Sequence, residues 1–577
     1  MSMHNAEIAD AFDEMGDLLS IQGDSPFRIR AYQRAAQVIR GLPRQLSEMG
    51  GSEEYQELPG IGEDLAGKIA ELVHTGHLRA LEKLRRGVPP GVRELLKLPG
   101  MGPVRVRALQ QGLHVRNATE LERAIGAGAL SQLRGFGPVI QSRLRAALSK
   151  RSVSAGPQRI GLSVAAQFAE PLRKYLASLE GVQAVEIAGS YRRRRDTVGD
   201  LDILICARPE ADPIAALGRF GDLREISAAG RTKAACVLRN GLQVDVRVVP
   251  TESFGAALLY FTGSRDHNIH LRRIAQEKGL KLSEYGLFRG ARRLAGETER
   301  QVYEALKLSW MEPELREDRG EIEAAQSGEL PRIIEAGDLK GDLHVHTDAS
   351  DGQDSLERMV LAARARGLSY IGITDHGKHL GIYRGLDAER LARQGEAIDA
   401  LNGKHPEIAI LKGAEVDILE DGRLALPDSV LSTLDLVLIA VHSHFDLPKA
   451  RQTARLLRAL DNPYVTILAH PSGRLIPGRA ASTFDFERIL EAAHARRCAI
   501  EVNGQPTRLD LDDVRVRAAR DAGVLLSLGS DAHSVEQFEF LQGAVSQARR
   551  GWARREDVLN CRPVGQLRKL LRELRAG

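Results

Sequence analysis

The sequence predicts a multidomain protein with an all-α N-terminal region, an α/β middle region and a C-terminal barrel-like domain of alternating strands and helices. Through the first 150 residues apolar positions recur three and four apart, as in IADAFDEMGDLLSI, and no convincing alternating strand occurs. Beyond Arg159 short strands alternate with helices, and from Asp342 about seven apolar runs alternate with amphipathic stretches. The 577 residues leave room for three or four domains.

Charge is unevenly distributed along the chain. Residues 1–300 contain 44 Lys and Arg against 34 Asp and Glu, whereas residues 301–577 contain 37 against 43, together with ten of the 16 histidines. A basic half suggests a polyanionic partner, and an acidic half rich in histidine suggests metal ions. The sequence shows no CxxC pair, signal peptide or apolar run of spanning length, so we expect a protein of the reducing cytoplasm.

A Gly-apolar-Gly pattern occurs three times in the helical region, in LPGIGEDLAGKI (58–69), LPGMGPVRVRAL (98–109) and LRGFGPVIQSRL (133–144). Each copy lies between two predicted helices, which is the sequence form of a helix-hairpin-helix. Because glycine lacks a side chain, backbone N–H groups can approach a phosphate there without reading a base. A plain turn would explain one copy, but three copies beside basic residues predict a DNA-binding region. Its glycines are Gly60, Gly62, Gly100, Gly102, Gly135 and Gly137.

Two predicted strands of the middle region carry acids on one face. In AGSYRRRRDTVGDLDILI (188–205) Asp200 and Asp202 are two residues apart, and GLQVDVRVV places Asp245 among valines. Residues two apart on a strand share a face, so pairing these strands would cluster three carboxylates. Such a cluster can hold two divalent cations, which activate a hydroxyl and neutralise a triphosphate. Ser190 and some of the arginines at 192–195 can then contact the polyphosphate.

These residues resemble the family X DNA polymerases, the group that contains DNA polymerase beta. The resemblance runs from about residue 5 to 310, through FRIRAYQRAAQVI, the glycine hairpins, the two acidic strands, LYFTGSRDHNIHLRRIAQEKG and LSEYGLF. It implies an α/β nucleotidyltransferase palm in which Asp200, Asp202 and Asp245 bind Mg²⁺ or Mn²⁺. It also implies that Asp245 accepts the proton of the primer 3′-hydroxyl. The implied nucleotide-binding positions are Arg159, Gly189, Ser190, Arg193, Gly199, Tyr260, Phe261, Gly263, Asn268 and Arg272.

Two positions depart from these relatives. Gln243 stands two residues before the third aspartate, where relatives of polymerase beta often have Arg, so we expect the hydrogen bonding of Asp245 to differ. Lys68 matches the Schiff-base lysine of the deoxyribose phosphate lyase site, but Asp64 occupies a position that is basic in those relatives. Lys68 is therefore interpreted as a phosphate contact on DNA, with lyase chemistry as the alternative.

Strand ends in the C-terminal region carry a second set of chemical groups. The charged stretch from Glu312, broken by prolines and glycines, predicts an interdomain linker, and beyond it nearly every apolar run ends in His, Asp or Glu. Parallel barrels hold their active sites at such strand ends. The candidate metal ligands are His344, His346, Asp351, His376, Glu415, His442, His470, Asp531 and His533. Mixed imidazole and carboxylate ligands suit Zn²⁺, Mn²⁺ or Fe, and nine suffice for two or three ions.

The segments HVH, SDG, TDH, AHP and SDAH resemble the polymerase and histidinol phosphatase (PHP) family across residues 341–577. That resemblance implies a distorted (βα)7 PHP barrel and metal-assisted hydrolysis of phosphoesters. The whole chain resembles a bacterial family X DNA polymerase fused to a PHP domain. This resemblance implies gap filling in base excision repair, 3′–5′ exonuclease activity and, as a further candidate, apurinic-site endonuclease activity.

The expected organisation follows from both resemblances. The predicted domains are an 8-kDa-like helical domain (1–90), a helix-hairpin-helix subdomain (91–150), the palm (151–250), a nascent-base-pair subdomain (251–311), a linker (312–340) and the PHP domain (341–577). We expect a nucleoid-associated monomer that binds gapped or primed DNA and dNTPs and no membrane. Two alternatives stay open: a DNA-binding scaffold whose PHP metal site is only structural, and a small-molecule phosphatase tethered to a polymerase.

Overall fold

The computed structural model describes residues 3–42, 44–96, 98, 100–133, 135–137, 140–142, 144–145, 148, 159–378, 384–476 and 478–576. The chain divides into two compact units, Met1–Gln158 and Arg159–Gly577. The predicted fold class is confirmed, because a helical region, an α/β domain and a parallel barrel follow one another in that order. Among the described helices none is long and apolar enough to span a membrane.

The first unit is helical throughout its described residues. Its helices are α1 (Asn5–Gln22), α2 (Pro26–Arg40), α3 (Ser52–Gln56), α4 (Glu63–Thr75), α5 (Arg79–Gly87), α6 (Pro90–Leu95), α7 (Pro103–Leu113) and α8 (Ala118–Gly126), with short 3-10 turns at Leu46–Glu48 and Ala129–Gln132. Their apolar faces share one core, in which Phe12, Leu18 and Ile69 are fully buried. The spacing of three and four residues in the sequence therefore marks the buried faces of real helices.

The second unit begins with a five-stranded sheet. Its elements are β1 (Ile160–Gly161), α9 (Leu162–Ala177), β2 (Val182–Ile187), α10 (Gly189–Arg192), β3 (Thr197–Val198), β4 (Asp200–Ala207), α11 (Pro213–Leu217), β5 (Leu223–Ala229), β6 (Lys233–Leu238) and β7 (Gln243–Val249). The sheet order is β2-β4-β7-β6-β5, in which only β4 and β7 run parallel, while β1 and β3 form a separate small ladder. Leu201, Ile203 and Ile205 of β4 pack with Phe168 of α9, so the opposite face of β4 is left for its acids.

A smaller α/β domain follows the sheet. It contains α12 (Phe254–Thr262), α13 (Arg265–Glu277), β8 (Lys281–Ser283), β9 (Gly286–Arg289), β10 (Arg292–Ala295), α14 (Glu299–Ala305) and α15 (Glu321–Ser327), with 3-10 turns at Thr251–Ser253, Pro313–Leu315 and Ala336–Asp338. Ile322 and Ala325 of α15 share a core with Leu271 and Tyr303. The first part of the segment predicted as a linker thus packs as part of this domain, because its apolar residues are buried and its charges are paired.

Seven parallel strands in sequence order form the C-terminal domain. The strands are β11 (Gly341–Val345), β12 (Tyr370–Ile373), β13 (Ala409–Asp417), β14 (Leu436–Ala440), β15 (Ile467–Leu468), β16 (Ala499–Asn503) and β17 (Leu526–Gly529). The helices are α16 (Leu356–Ala365), α17 (Ala388–Lys404), α18 (Asp428–Leu431), α19 (Lys449–Leu460), α20 (Phe486–Ala495), α21 (Asp513–Asp521), α22 (Leu541–Arg550) and α23 (Val564–Ala576), and 3-10 turns lie at Val535–Phe540, Arg555–Asp557 and Leu559–Cys561.

The first and last strands approach each other and nearly close the barrel. A parallel bridge joins Val345 to Ala532, just beyond the end of β17. Inside, Leu567 and Leu571 of α23 pack with Leu343 and Leu438 of the strands. Apolar side chains therefore fill the interior, and the polar strand ends are left to form a site.

Two candidate metal centres

The first candidate centre lies on the neighbouring strands β4 and β7. Their parallel register sets Asp202 directly opposite Asp245, and Asp200 opposite Gln243. Asp200 and Asp245 are exposed and Asp202 is half-buried, whereas the residues between them are buried. The structure therefore brings the three predicted carboxylates to one face of the sheet. The carboxylate oxygens of the three aspartates do not all lie within 4.8 Å of one another. In the described part of the chain, every set of three or more His, Cys, Asp or Glu ligand atoms that close together lies in the barrel.

The electrostatics of this face favour a cation. Burial, together with the charges of Asp200 and Asp245, raises the pKa of Asp202 to about 7, although the guanidiniums of Arg247 and Arg193 act in the opposite direction. A carboxyl in this state keeps its proton near neutral pH until a positive charge displaces it. The carboxylate set fits a hard divalent cation such as Mg²⁺ or Mn²⁺.

The turn after β2 brings backbone and a hydroxyl close to these acids. Gly189 has φ +62°, and a Cβ there would lie 2.5 Å from Asp202 Oδ2, so only glycine fits. The buried Ser190 Oγ has no hydrogen-bond partner among the described residues. A buried donor without a partner is costly unless a ligand satisfies it, which agrees with the predicted phosphate contact.

The arginines that follow this turn are not equivalent. Arg192 donates to both oxygens of Glu299, at 2.7 and 2.9 Å, and is committed to that ion pair. Arg193 donates to Glu317 Oε1 at 3.1 Å, and Arg195 approaches Glu317 Oε2 at 3.4 Å. Of the predicted phosphate-binding arginines, Arg193 therefore already has a carboxylate partner.

Arg159 and Gly199 lie together beside this arginine stretch. Arg159 Nε donates to Thr197 Oγ1 at 3.0 Å, and a Cβ on Gly199 would lie 3.3 Å from Arg159 Nη1. The glycine thus leaves space for the guanidinium, which supports the joint assignment of the two positions.

The remaining predicted nucleotide contacts gather on α12 and α13. The rings of Tyr260 and Phe261 meet edge to face with centroids 5.1 Å apart. Asn268 Nδ2 donates to the Tyr260 carbonyl at 2.6 Å, and Arg272 Nε donates to the Asn268 carbonyl at 3.2 Å. Gly263 leaves room for an arginine, because a Cβ there would lie 3.0 Å from Arg193 Nη1.

The three glycine hairpins share one geometry in the first unit. The first glycine of each has positive φ: +70° at Gly60, +80° at Gly100 and +92° at Gly135. The second glycines, Gly62 and Gly102, begin α4 and α7, where their carbonyls accept the first helical hydrogen bonds at 2.9 and 3.1 Å. The Gly137 carbonyl likewise accepts from Gln141 N at 3.1 Å, although parts of the third copy lie outside the described residues.

Lys68 lies on α4, directly after the first hairpin. Its Nζ forms a short ion pair with Asp64 one turn earlier and lies 5.9 Å from the centre of the Tyr32 ring. The acid that departs from the relatives is therefore the partner of the lysine. A lysine held this way is less available as a free amine nucleophile.

The second candidate centre lies at the carboxyl ends of the barrel strands, where the structure brings all nine predicted ligands together. They form four overlapping groups whose ligand atoms lie within 4.8 Å. The groups are His346, Asp351, His376 and His533; His344, Glu415 and His470; His344, His346 and Asp531; and His376, Glu415 and His442. Shared members make this one continuous cluster.

The donor set of the cluster fits metal ions. His346 Nδ1 and His470 Nδ1 are buried and make no hydrogen bond with any described residue. His344 Nε2 faces Glu415 and Asp531 at 3.6 Å each, beyond ordinary hydrogen-bond length. Buried imidazole nitrogens without partners, next to carboxylates, form the mixed set that transition metals bind.

The charges of the cluster are strongly coupled. Burial lowers the pKa of His376 to about 3. Burial also disfavours the charged form of His442 and of His533, yet Glu415 raises the pKa of His442 to about 9 and Asp351 raises that of His533 to about 9. The protonated imidazoles of His442 and His533 thus balance buried carboxylates, as metal cations would.

Two carboxylates that sequence reasoning missed orient these groups. Glu501 Oε1 lies 2.5 Å from His344 Nδ1, and Asp417 Oδ1 lies 2.6 Å from His442 Nδ1. Such carboxylates fix the ring orientation and tautomer of a ligating histidine. Asp417 ends β13 in GAEVD, so the strand-end rule that selected the ligands would also have found it, whereas Glu501 lies in the middle of β16 and that rule does not select it.

His405, His444 and His494, to which the sequence analysis gives no role, lie outside the cluster groups. His444 is half exposed and lies 3.9 Å from Glu420. His405 is largely buried and lies 3.8 Å from Glu357 and 3.6 Å from Glu407. His494 lies 3.3 Å from the Gly523 carbonyl, and His379 lies outside the described residues.

Comparisons with known proteins agree with these two centres. Family models match as "Helix-hairpin-helix domain" (3–78), "DNA polymerase beta palm" (159–223), "DNA polymerase beta thumb" (257–317) and "PHP domain" (342–504). A DNA polymerase/3′-5′ exonuclease PolX of Bacillus subtilis (strain 168) is 36% identical over 577 residues, covering 99% of this chain and 100% of that protein.

Two further relatives match parts of the chain. DNA polymerase lambda of Rattus norvegicus is 26% identical over 345 residues, 54% of this chain and 56% of that protein. A probable phosphatase of Thermoanaerobacter sp. (strain X514) is 30% identical over 246 residues, 40% of this chain and 94% of that protein. Because the match to the Bacillus protein extends over nearly the whole chain and both centres are in place, the chain belongs to the family X DNA polymerases that carry a C-terminal PHP domain.

Proposed function

We propose that this protein is a DNA-directed DNA polymerase that fills short gaps in base excision repair, and that its barrel is a metal-dependent 3′–5′ exonuclease. The observation that carries the first activity is the register that sets Asp202 opposite Asp245 beside the unpartnered hydroxyl of Ser190. The relatives named for polymerase and 3′-5′ exonuclease activities support both parts.

In the palm, Asp200, Asp202 and Asp245 would hold Mg²⁺ or Mn²⁺, which supplies charge neutralisation for the triphosphate and a lower pKa for the primer hydroxyl. Asp245 accepts the proton of the 3′-hydroxyl. Ser190 donates its hydroxyl to a phosphate oxygen.

Further side chains orient the incoming nucleotide. Arg159 and Arg193 contact the triphosphate, where Gly189, Gly199 and Gly263 leave room for the backbone and the guanidiniums. Tyr260 and Phe261 bound the sugar and discriminate the 2′ position. Asn268 and Arg272 contact the nascent pair and the template on the minor-groove side. The assignment of these residues rests on the family motifs, and the spacing of the side chains is compatible with it.

In the barrel, the nine-residue cluster would hold two or three ions of Zn²⁺, Mn²⁺ or Fe, which lower the pKa of a water and polarise a phosphoester. Glu501 and Asp417 keep His344 and His442 oriented. The cluster consists of His, Asp and Glu side chains, which support hydrolysis by a metal-activated water. Apurinic-site cleavage would use the same groups.

The N-terminal hairpins bind DNA by its backbone in this proposal. The glycines at positive φ expose backbone N–H groups at the start of α4 and α7. Lys68, paired with Asp64, contributes a phosphate contact, and lyase chemistry is the less favoured role. We propose domain boundaries at 90, 150, 250 and 340 and a nucleoid-associated monomer. The boundary at 311 is not kept, because Ile322 and Ala325 pack in the core of the preceding domain.

Separating the two chemistries by mutation tests the proposal. Asp200→Ala with Asp202→Ala should abolish nucleotide addition on a labelled one-nucleotide gap while 3′ trimming persists. His344→Ala with His442→Ala should abolish trimming while gap filling stays near normal. If the first variant also loses trimming with DNA affinity and fold intact, the centres are not independent.

Similarity of the barrel to a probable phosphatase favours a second candidate for that domain alone. Histidinol phosphate hydrolysis, compared with trimming of a 3′-recessed primer, distinguishes a small-molecule phosphatase from the exonuclease. Removal of metal that lowers thermal stability without changing hydrolysis would instead indicate a structural metal site.

A further inference from the structure

The last residue of the barrel helix α22 reaches into the palm. Arg550, whose side chain is 2% exposed, donates from Nη1 to the backbone carbonyl of Arg193 at 2.6 Å. From Nη2 it donates to Glu317 Oε1 at 3.0 Å and also contacts Asp513 Oδ2. One guanidinium thus joins the barrel to the stretch that follows α10. We call residues 193–196 the arginine loop.

Glu317 connects the same guanidinium to the side chains of the loop. Its Oε1 accepts from Arg193 Nε at 3.1 Å as well as from Arg550, and its Oε2 faces Arg195 Nη1 at 3.4 Å. The Glu317 side chain is 9% exposed, so these charges are shielded from water. Arg550 therefore supports Arg193 twice, through its backbone carbonyl and through its carboxylate partner.

The barrel also holds the other end of the loop. Arg474 Nη1 donates to Asp196 Oδ2 at 3.1 Å, and Arg474 Nε donates to the carbonyl of Arg508 at 2.8 Å. Both ends of the arginine loop are thus bonded to barrel residues. The barrel consequently restricts the conformations of a loop that the palm uses for its ligand.

We propose that Arg550 is a positioning residue for nucleotide addition in the palm, so that the PHP barrel sets the affinity of the polymerase for dNTP. This inference rests on the proposed triphosphate contact of Arg193.

Two effects make the guanidinium important. It anchors the carbonyl of Arg193, and without it a partly buried acceptor loses its donor and the loop is free to shift. It also keeps Glu317 neutralised when Arg193 turns towards the triphosphate. Without Arg550, the Glu317 carboxylate would compete more strongly with the triphosphate for Arg193. Both effects weaken the binding of dNTP more than the chemical step.

Steady-state filling of a one-nucleotide gap by full-length Arg550→Met tests this. We expect the KM for dNTP to rise about tenfold with kcat within about threefold, because ground-state and transition-state binding are lost together. Arg550→Lys keeps a positive charge near Glu317 but cannot reach the Arg193 carbonyl, Glu317 and Asp513 together. Its KM for dNTP should therefore lie between those of the wild type and Arg550→Met.

Arg549→Met is the matched control. Arg549 precedes Arg550 on α22 and donates to Glu314 at 2.8 Å and to the Ile334 carbonyl at 2.9 Å, and it forms no hydrogen bond or ion pair with the described residues of the arginine loop. Its KM for dNTP should stay within about twofold of wild type. Thermal unfolding of each variant reports the general damage to this interface.

Three outcomes would overturn the inference. The first is a KM for dNTP that rises equally in Arg550→Met and Arg549→Met. The second applies if Arg550→Met does not fold, and it is a KM for dNTP in Arg550→Lys that equals the wild-type value. The third is full additivity of Arg550→Met with Arg193→Met, since residues acting through one contact should not add. An unchanged KM for dNTP in the single variant Arg193→Met would instead refute the proposed contact of Arg193 with the triphosphate. This result distinguishes a failure of the proposed function from a failure of the Arg550 inference.

Discussion

The palm should bind divalent cations in competition with one proton. The folded protein raises the pKa of Asp202 to about 7, chiefly by burial and then by the charges of Asp200 and Asp245. A raised pKa means that the carboxyl is protonated at pH 6, and an arriving cation must displace that proton. With this pKa about three quarters of the molecules are ionised at pH 7.5 and about a tenth at pH 6, so affinity should fall about eightfold.

Isothermal titration of Mn²⁺ into the His344→Ala, His346→Ala, His442→Ala protein, which lacks a ligand from each of the four barrel groups, measures this. Titrations in two buffers of different ionisation enthalpy give the protons released, which should be about 0.9 per ion at pH 6 and about a quarter at pH 7.5. Asp202→Asn in the same background is the control and should remove both the pH dependence and the release. Equal affinity at the two pH values, or release that persists in the Asp202→Asn control, would refute this explanation.

Four other outcomes are expected. Replacing Glu299 by Gln, which leaves two guanidiniums without a buried carboxylate, should cost about 3 to 5 kcal/mol in urea unfolding at pH 7. Burial disfavours the charged carboxylate, but its arginine partners still lower the pKa of Glu299 to about 2, so the difference from wild type should narrow as the pH falls from about 4.5 towards 2. In gel-shift assays Gly60→Val should weaken gapped-DNA binding, whereas Gly128→Val, equally strained but outside the hairpins, should not; equal effects would contradict the hairpin assignment. For the wild type, the log of the binding constant should fall by about 0.9 per contacted phosphate for each log unit of salt, and a flat response would contradict backbone binding. Glu501→Gln should slow 3′ trimming about 10- to 100-fold by releasing His344, with gap filling unchanged, and normal trimming would exclude that role.

Many residues of both centres can be predicted from the sequence, because their positions follow the spacing of residues along single strands and helices. Asp200 and Asp202 share a face since a strand repeats every two residues, and the glycine hairpins mark the turns that start α4 and α7. The nine barrel residues stand at strand ends, and parallel strands in sequence order bring those ends together. A local pattern plus a fold class is enough to place such residues.

The partners of the charges are decided only by the tertiary structure. Four consecutive arginines look alike in sequence, yet Arg192 pairs with Glu299, 107 residues away, and Arg193 with Glu317, 124 residues away. His344 meets Glu501 across 157 residues. The charged stretch from Glu312 predicts an interdomain linker, but its Glu317 is a largely buried partner of Arg193 in the palm. Side-chain spacing along a strand or helix determines which groups share a face. Which charges lose water and become paired depends on segments that meet only after folding, because desolvation and Coulomb energy act through space and not along the chain.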